Sequence, residues 1–127
     1  MKRVRVYIAS PYSNGDKEQN AQLQMAATYH LLKLGFNPYM PVYHHFIQKA
    51  YPDLNHDIPW LEIDKAWLKE CDMAIRLHIK NEKGEEIYSP GANEEEAFCK
   101  ESGIPMFHFD SIEEMVRTMS TVENTIS

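Results

Sequence analysis

The chain has 127 residues, 43% hydrophobic and 25% charged, with two Trp, seven Tyr and five Phe. That is enough to build the core of a single domain, which excludes a chain dominated by disorder. The net charge of −6, with 13 basic against 19 acidic residues and only Lys2, Arg3 and Arg5 clustered, argues against a nucleic-acid polymer as partner.

Arg3 to Ala9 (RVRVYIA) reads as a central strand, buried on both faces beyond Arg5. Ser10 to Gly15 is a loop by composition, and Asn14 or Asp16 can cap the helix after it. From Lys17 to Leu34 the residues Ala21, Met25, Tyr29 and Leu32 recur at helical steps, which predicts an amphipathic helix ended by Gly35. Phe36 to Met40 reads as a short strand. Val42 to Ala50 leaves a helical turn and irregular chain both open, and Tyr51 to Pro59 is a loop. Helical spacing returns at Trp60 to Glu70. Asp72 to Ile79 is strand-like, and Asn81 to Glu86 is a charged surface tip. Ser89 to Ser102 is a helix with Pro at its second position, stopped by Gly103. Met106 to Phe109 is a strand, Ser111 caps a last helix, and the polar end reads as frayed from about residue 119.

This alternation predicts an α/β domain over residues 1–127, with a parallel sheet of four or five strands and helices on both faces. In such sheets the ligand crevice lies outside the carboxyl ends of the strands. Three segments then become candidates for a site: Ser10 to Gly15, Met40 to His45, and Ile87 to Glu95.

Ser89-Pro90-Gly91-Ala92 offers small residues and free N–H groups at a helix start, suited to close approach by a ligand. Glu94, Glu95 and Glu96 come next. Acidic residues near a helix start gain from its dipole, but neighbours diverge by about 100°, so one or two at most face the crevice. Asp64 sits mid-helix, where Asp is a poor helix former; it is either a solvated partner of Lys65 or Lys69, or functional. Asp72 reads as a turn carboxylate and Tyr7 as core. His44, His45 and His56 lack the spacing of a metal site. Cys71 and Cys99 form no CxxC pair, which fits reduced thiols in a cytoplasmic protein. The apolar stretch at Val4 to Ala9 is too short for a signal peptide, and no run approaches the ~20 apolar residues of a membrane span.

Three segments in this order, YIASPYS, IDKAWLKECDMAI and SPGANEEEAFCKESGIPMF, together resemble the nucleoside 2-deoxyribosyltransferase superfamily. That superfamily includes deoxynucleoside 5′-monophosphate N-glycosidases and a branch of small proteins to which the likeness is greatest. The resemblance spans about residues 4 to 109. It implies a flavodoxin- or Rossmann-like three-layer α/β sandwich. It implies attack on C1′ by Glu95, which lies six residues after Ser89. Asp64, eight residues before Asp72, would act as the acid for the leaving base, and Tyr7 would lie near the nucleophile. Ser10, Pro11, Ser13, Ser89, Gly91 and Ala92 would contact the substrate. The monophosphate glycosidases carry a phosphate-binding Arg where this chain has Ser13, so weak preference for a 5′-phosphate is expected.

The implied activity is cleavage or base exchange of the N-glycosidic bond in a nucleoside or nucleotide, with no cofactor and no metal. A carboxylate on one side of an oxocarbenium-like transition state and an acid on the other suit that chemistry. The contrasting expectation is a non-catalytic module that binds, senses or sequesters a nucleotide in the same crevice. A homodimer or higher homo-oligomer is expected, with Tyr43, Phe46, Tyr51 and Trp60 at or near the interface.

Overall fold

A computed structural model describes residues 1–54 and 57–127. Its elements run β1 (Lys2–Arg3), β2 (Arg5–Ala9), α1 (Lys17–Lys33), β3 (Asn37–Tyr39), α2 (Tyr43–Ala50), α3 (Trp60–Leu68), β4 (Met73–Leu77), α4 (Pro90–Ser102), β5 (Met106–Phe109), α5 (Ile112–Met119) and β6 (Thr125–Ile126). Four strands form a parallel sheet in the order β3-β2-β4-β5. Ile8 pairs with Ile75 and Tyr7 with Ala74, so the first and third long strands lie side by side, in parallel.

The side chains of β2 alternate between two cores. Val6 and Ile8 join Ala27 and Leu31 of α1 and Met115 and Met119 of α5 on one face. Tyr7 and Ala9 join Leu68 of α3 and Ala92 and Cys99 of α4 on the other. Helices thus cover both faces, an arrangement compatible with a three-layer α/β sandwich. Among the described residues no helix is long and apolar enough to cross a membrane. The tip at Asn81 to Glu86 is a short hairpin, closed by a bridge between Lys80 and Glu86.

Three expectations are corrected. The first strand is broken at Val4, whose N–H donates to the Asn124 carbonyl at 2.9 Å while Lys2 and Arg3 pair antiparallel with β6. The end of the chain is therefore tied down where fraying was expected. Asn124 also donates from its side chain to the Leu34 carbonyl at 2.8 Å, capping the exit of α1. The third correction concerns α1. Of the apolar stripe Ala21, Met25, Tyr29 and Leu32, only Ala21 is buried; the inward face is Asn20, Ala21, Gln24, Ala27 and Leu31. Two of these are polar because the loops supply their partners. Asn20 donates to the carbonyls of Tyr12 and Asn14 at 3.1 and 2.8 Å, and Gln24 bonds two further segments. The hydrophobic period alone therefore points to the wrong face.

Gly35 follows α1 with φ of 95°, and a Cβ there would lie 2.7 Å from the Asn124 amide nitrogen. Gly84, with φ of 80°, has open space around it. Gly84→Ala should cost about 1 kcal/mol, the left-handed penalty alone. Gly35→Ala should cost roughly 2–3 kcal/mol, since it adds displacement of the Asn124 cap. Urea denaturation of the two variants checks the difference.

Candidate active site

The three segments picked out by the strand-end rule converge on one cavity of about 320 Å³ at the carboxyl ends of β2 and β3, with the start of α4 beside them. Ser89 caps α4, its hydroxyl accepting from Ala92 N–H at 3.2 Å, with Pro90 in the first helical position. This cap sets the helix phase. Glu95 turns inward and is 6% exposed, while Glu94 faces out toward Lys65 at 3.6 Å. Glu96 pairs with Arg76 at 2.9 Å. Asp64 of α3 is likewise 6% exposed. Neither Lys65 nor Lys69 partners it. It accepts from the Tyr39 hydroxyl and meets His44 Nε2, each at 3.4 Å.

Ser10, Ser13, Asp64, Ser89, Gly91, Ala92 and Glu95 line the cavity. Pro11 is buried but does not line it, and neither does Tyr7. Tyr7 is in the middle of β2 rather than at its end, and its hydroxyl donates to Glu95 from beneath. It therefore holds that carboxylate by a hydrogen bond without reaching the cavity itself. Burial, reinforced by the charges of Glu95 and Asp64, pushes the Tyr7 hydroxyl far above the ordinary tyrosine range, so it remains a donor. Tyr39 is raised in the same way, by burial first. Its ring stacks between Tyr7 at 5.4 Å and Trp67 at 5.5 Å, an aromatic wall behind both carboxylates.

The expectation that the helix dipole keeps Glu95 ionised is corrected. Glu95 lies in the second turn of α4, beyond the reach of an effect that fades within the first. Burial dominates and pushes its carboxyl up to about 8, against the Tyr7 hydrogen bond, with Asp64 adding to the rise. Asp72 accepts from Arg5 N–H at 2.8 Å, a turn carboxylate remote from the cavity lining. His45 bonds the Tyr12 hydroxyl at 2.5 Å and Glu18 at 2.9 Å. Among the described residues no group of three or more His, Cys, Asp or Glu could hold a metal; His56 lies outside the described residues. Burial pushes the thiols of Cys71 and Cys99 each up to about 11, which suits neither as a nucleophile.

Sequence reasoning missed Ile8, Gln24, Trp60 and Leu61 as cavity-lining residues, whereas Pro41 and Val42 fall within the Met40 to His45 segment that the strand-end rule picked out. Of the aromatic residues expected at an interface, Tyr43, Phe46 and Trp60 are half-buried and only Tyr51 is exposed. Trp60 stacks on the His44 ring at 4.5 Å and so braces the partner of Asp64. The one available signal was Gln24, a polar amide in phase with Ala27 and Leu31. No protein-family model matches the chain, and no curated protein matches it.

The raised Glu95 carboxyl has a consequence for stability. The folded state holds its proton up to about pH 8, whereas an unfolded Glu releases it near 4.3. The cost of burying the ionised form is therefore absent below the unfolded value, grows as pH rises, and is complete above the folded one. Glu95→Gln removes that cost. The variant should gain stability over the parent between pH 5 and 9, by on the order of a few kcal/mol, as read from thermal melts across that range.

Proposed function

We propose that the chain cleaves or exchanges the N-glycosidic bond of a ribo- or deoxyribonucleoside, or of its 5′-monophosphate, on a flavodoxin-like three-layer fold. One observation carries this reading: two buried carboxylates, Glu95 and Asp64, reach one cavity from two helices, and the first is held by the Tyr7 hydroxyl. The strand order supports the fold. Counting only the parallel strands it runs second, first, third, fourth, and the cavity opens at the carboxyl end of the first of them, the strand from which the order runs both ways. The likeness to the nucleoside 2-deoxyribosyltransferase superfamily in the segments around Tyr7, Asp64 and Glu95 supports the chemistry.

In this mechanism a Glu95 oxygen bonds to C1′ as the C1′–N bond breaks. The bonding pair leaves with the base, which takes a proton from Asp64. Water, or the N–H of a second base, then attacks C1′ and gives its proton to Asp64, and Glu95 is released. Two displacements retain the configuration at C1′. A carboxylate made basic by burial is a strong nucleophile once ionised, and the cationic sugar supplies the charge that burial withholds. Among the described residues no Lys or Arg lines the cavity, which supports a nucleoside over a monophosphate as the better substrate.

The test is incubation with mixed deoxyribonucleosides and monophosphates, followed by mass spectrometry for free base, exchanged base or a sugar adduct on Glu95. Glu95→Ala should slow turnover roughly 10³-fold or more, and Asp64→Asn about 10²–10³-fold. In Asp64→Asn, where no acid has to keep its proton, the residual kcat/KM should rise with pH as Glu95 ionises, near or a little below 8. Preference for the nucleoside should persist at two salt concentrations. Tight nucleoside binding without base release, unchanged in Glu95→Gln, would replace the enzyme by a binding module.

A further inference from the structure

Gln24 and Ser10 stand in the cavity wall and take no part in the chemistry above. Val42 N–H donates to Gln24 Oε1 at 2.7 Å, and Gln24 Nε2 donates to Ser10 Oγ at 2.6 Å. A backbone N–H can only donate, so this contact decides which end of the Gln24 amide is oxygen. The nitrogen end can only donate in turn, so the Ser10 oxygen accepts. The proton of the Ser10 hydroxyl must then point elsewhere, and no acceptor among the described residues receives it. Ser10 is 9% and Gln24 3% exposed, so bulk water does not readily satisfy them. The clamp thus presents a hydrogen-bond donor to whatever fills the cavity, and the second N–H of Gln24 has the same polarity.

The chemistry of the occupant is set by where the clamp is anchored. Val42 belongs to the apolar part of the lining, with Pro41, Trp60 and Leu61, the surface suited to a planar ring. Sugar hydroxyls both donate and accept, so an oriented donor would tell them apart poorly. The edge of a base is different. A 6-oxopurine or 4-oxopyrimidine presents a carbonyl oxygen where the amino base presents an NH₂ group. Resting on the nucleoside reading above, we infer that the Gln24–Ser10 clamp selects nucleosides of oxo bases over those of amino bases. Against an amino base the buried hydroxyl faces another donor and its proton stays unpaired, the situation in which a polar site discriminates most sharply.

Gln24→Glu tests the inference. It keeps the side-chain shape and the bond from Val42 but puts an acceptor oxygen where the amide nitrogen was. Ser10 then turns its proton to Glu and offers lone pairs to the cavity. The measurement is kcat/KM at pH 8 for deoxyinosine against deoxyadenosine and for deoxyuridine against deoxycytidine. Binding of the same four to Glu95→Gln protein gives the ratios without turnover. The parent should favour the oxo member of each pair by about 10-fold or more. Gln24→Glu should erase or reverse that ratio, and Ser10→Ala should lower it, with the Gln24 amide left as the remaining donor. Equal use of both members by the parent overturns the inference and leaves the nucleoside reading standing, as does an unchanged ratio in folded Gln24→Glu. If Gln24→Glu does not fold, Ser10→Ala decides, and a parental ratio there overturns the inference. No turnover and no binding of any of the four overturns both readings.

Discussion

The hydroxyl of Tyr7 meets the carboxylate of Glu95 under the floor of the cavity, and the packing on that side of the sheet is organised to let it do so. Tyr7 is a fully buried polar-tipped ring on a central strand. Apart from Leu68, its buried neighbours in that core are small: Ala9, Ala74, Ala92 and Cys99. The opposite face, filled by Ile, Leu, Phe and Met, has no such ring. Small residues around Tyr7 allow α4 to approach β2 and β4 closely enough for a glutamate in its second turn to reach a strand tyrosine. A larger residue at Ala92 or Ala74 would lift the helix, and the carboxylate with it.

The charges around this contact are divided with some economy. Lys65 goes to Glu94 and Arg76 to Glu96, the two glutamates that face away. The inward pair, Glu95 and Asp64, receives Tyr7, Tyr39 and His44 instead. Cations beside the inward pair would hold both as quiet carboxylates. Uncharged phenolic donors orient them while leaving the cavity short of positive charge. In the proposed reaction that shortage is met only as the sugar becomes cationic, so the attraction is largest at the transition state.

Much of this was legible in the residues. Ser89 and Pro90 mark the start of α4, and once the start is set the helical period decides which of three consecutive glutamates turns inward. The parallel order followed from alternation, and the strand-end rule located the cavity. Other features were not legible, for distinct reasons. The inward face of α1 carries Asn20 and Gln24, whose burial depends on carbonyls and N–H groups from loops far along the chain. A hydropathy pattern cannot see such partners. The state of Glu95 depends on a three-dimensional enclosure that outweighs the local dipole. The tie between Asn124 and Leu34 is a contact across 90 positions, with no local trace in a polar tail.

The placement of the two tryptophans makes the molecule its own optical gauge. Trp60 forms part of the cavity wall and lies against His44, while Trp67 stacks on Tyr39 with its outer side in water. The indole emission of the chain therefore has one component sensitive to the contents of the cavity and one that reports mainly on solvent. With Trp67 replaced by Phe, emission arises from the cavity wall alone. A planar base laid over Trp60 would then be seen directly as quenching, with no label and no turnover required.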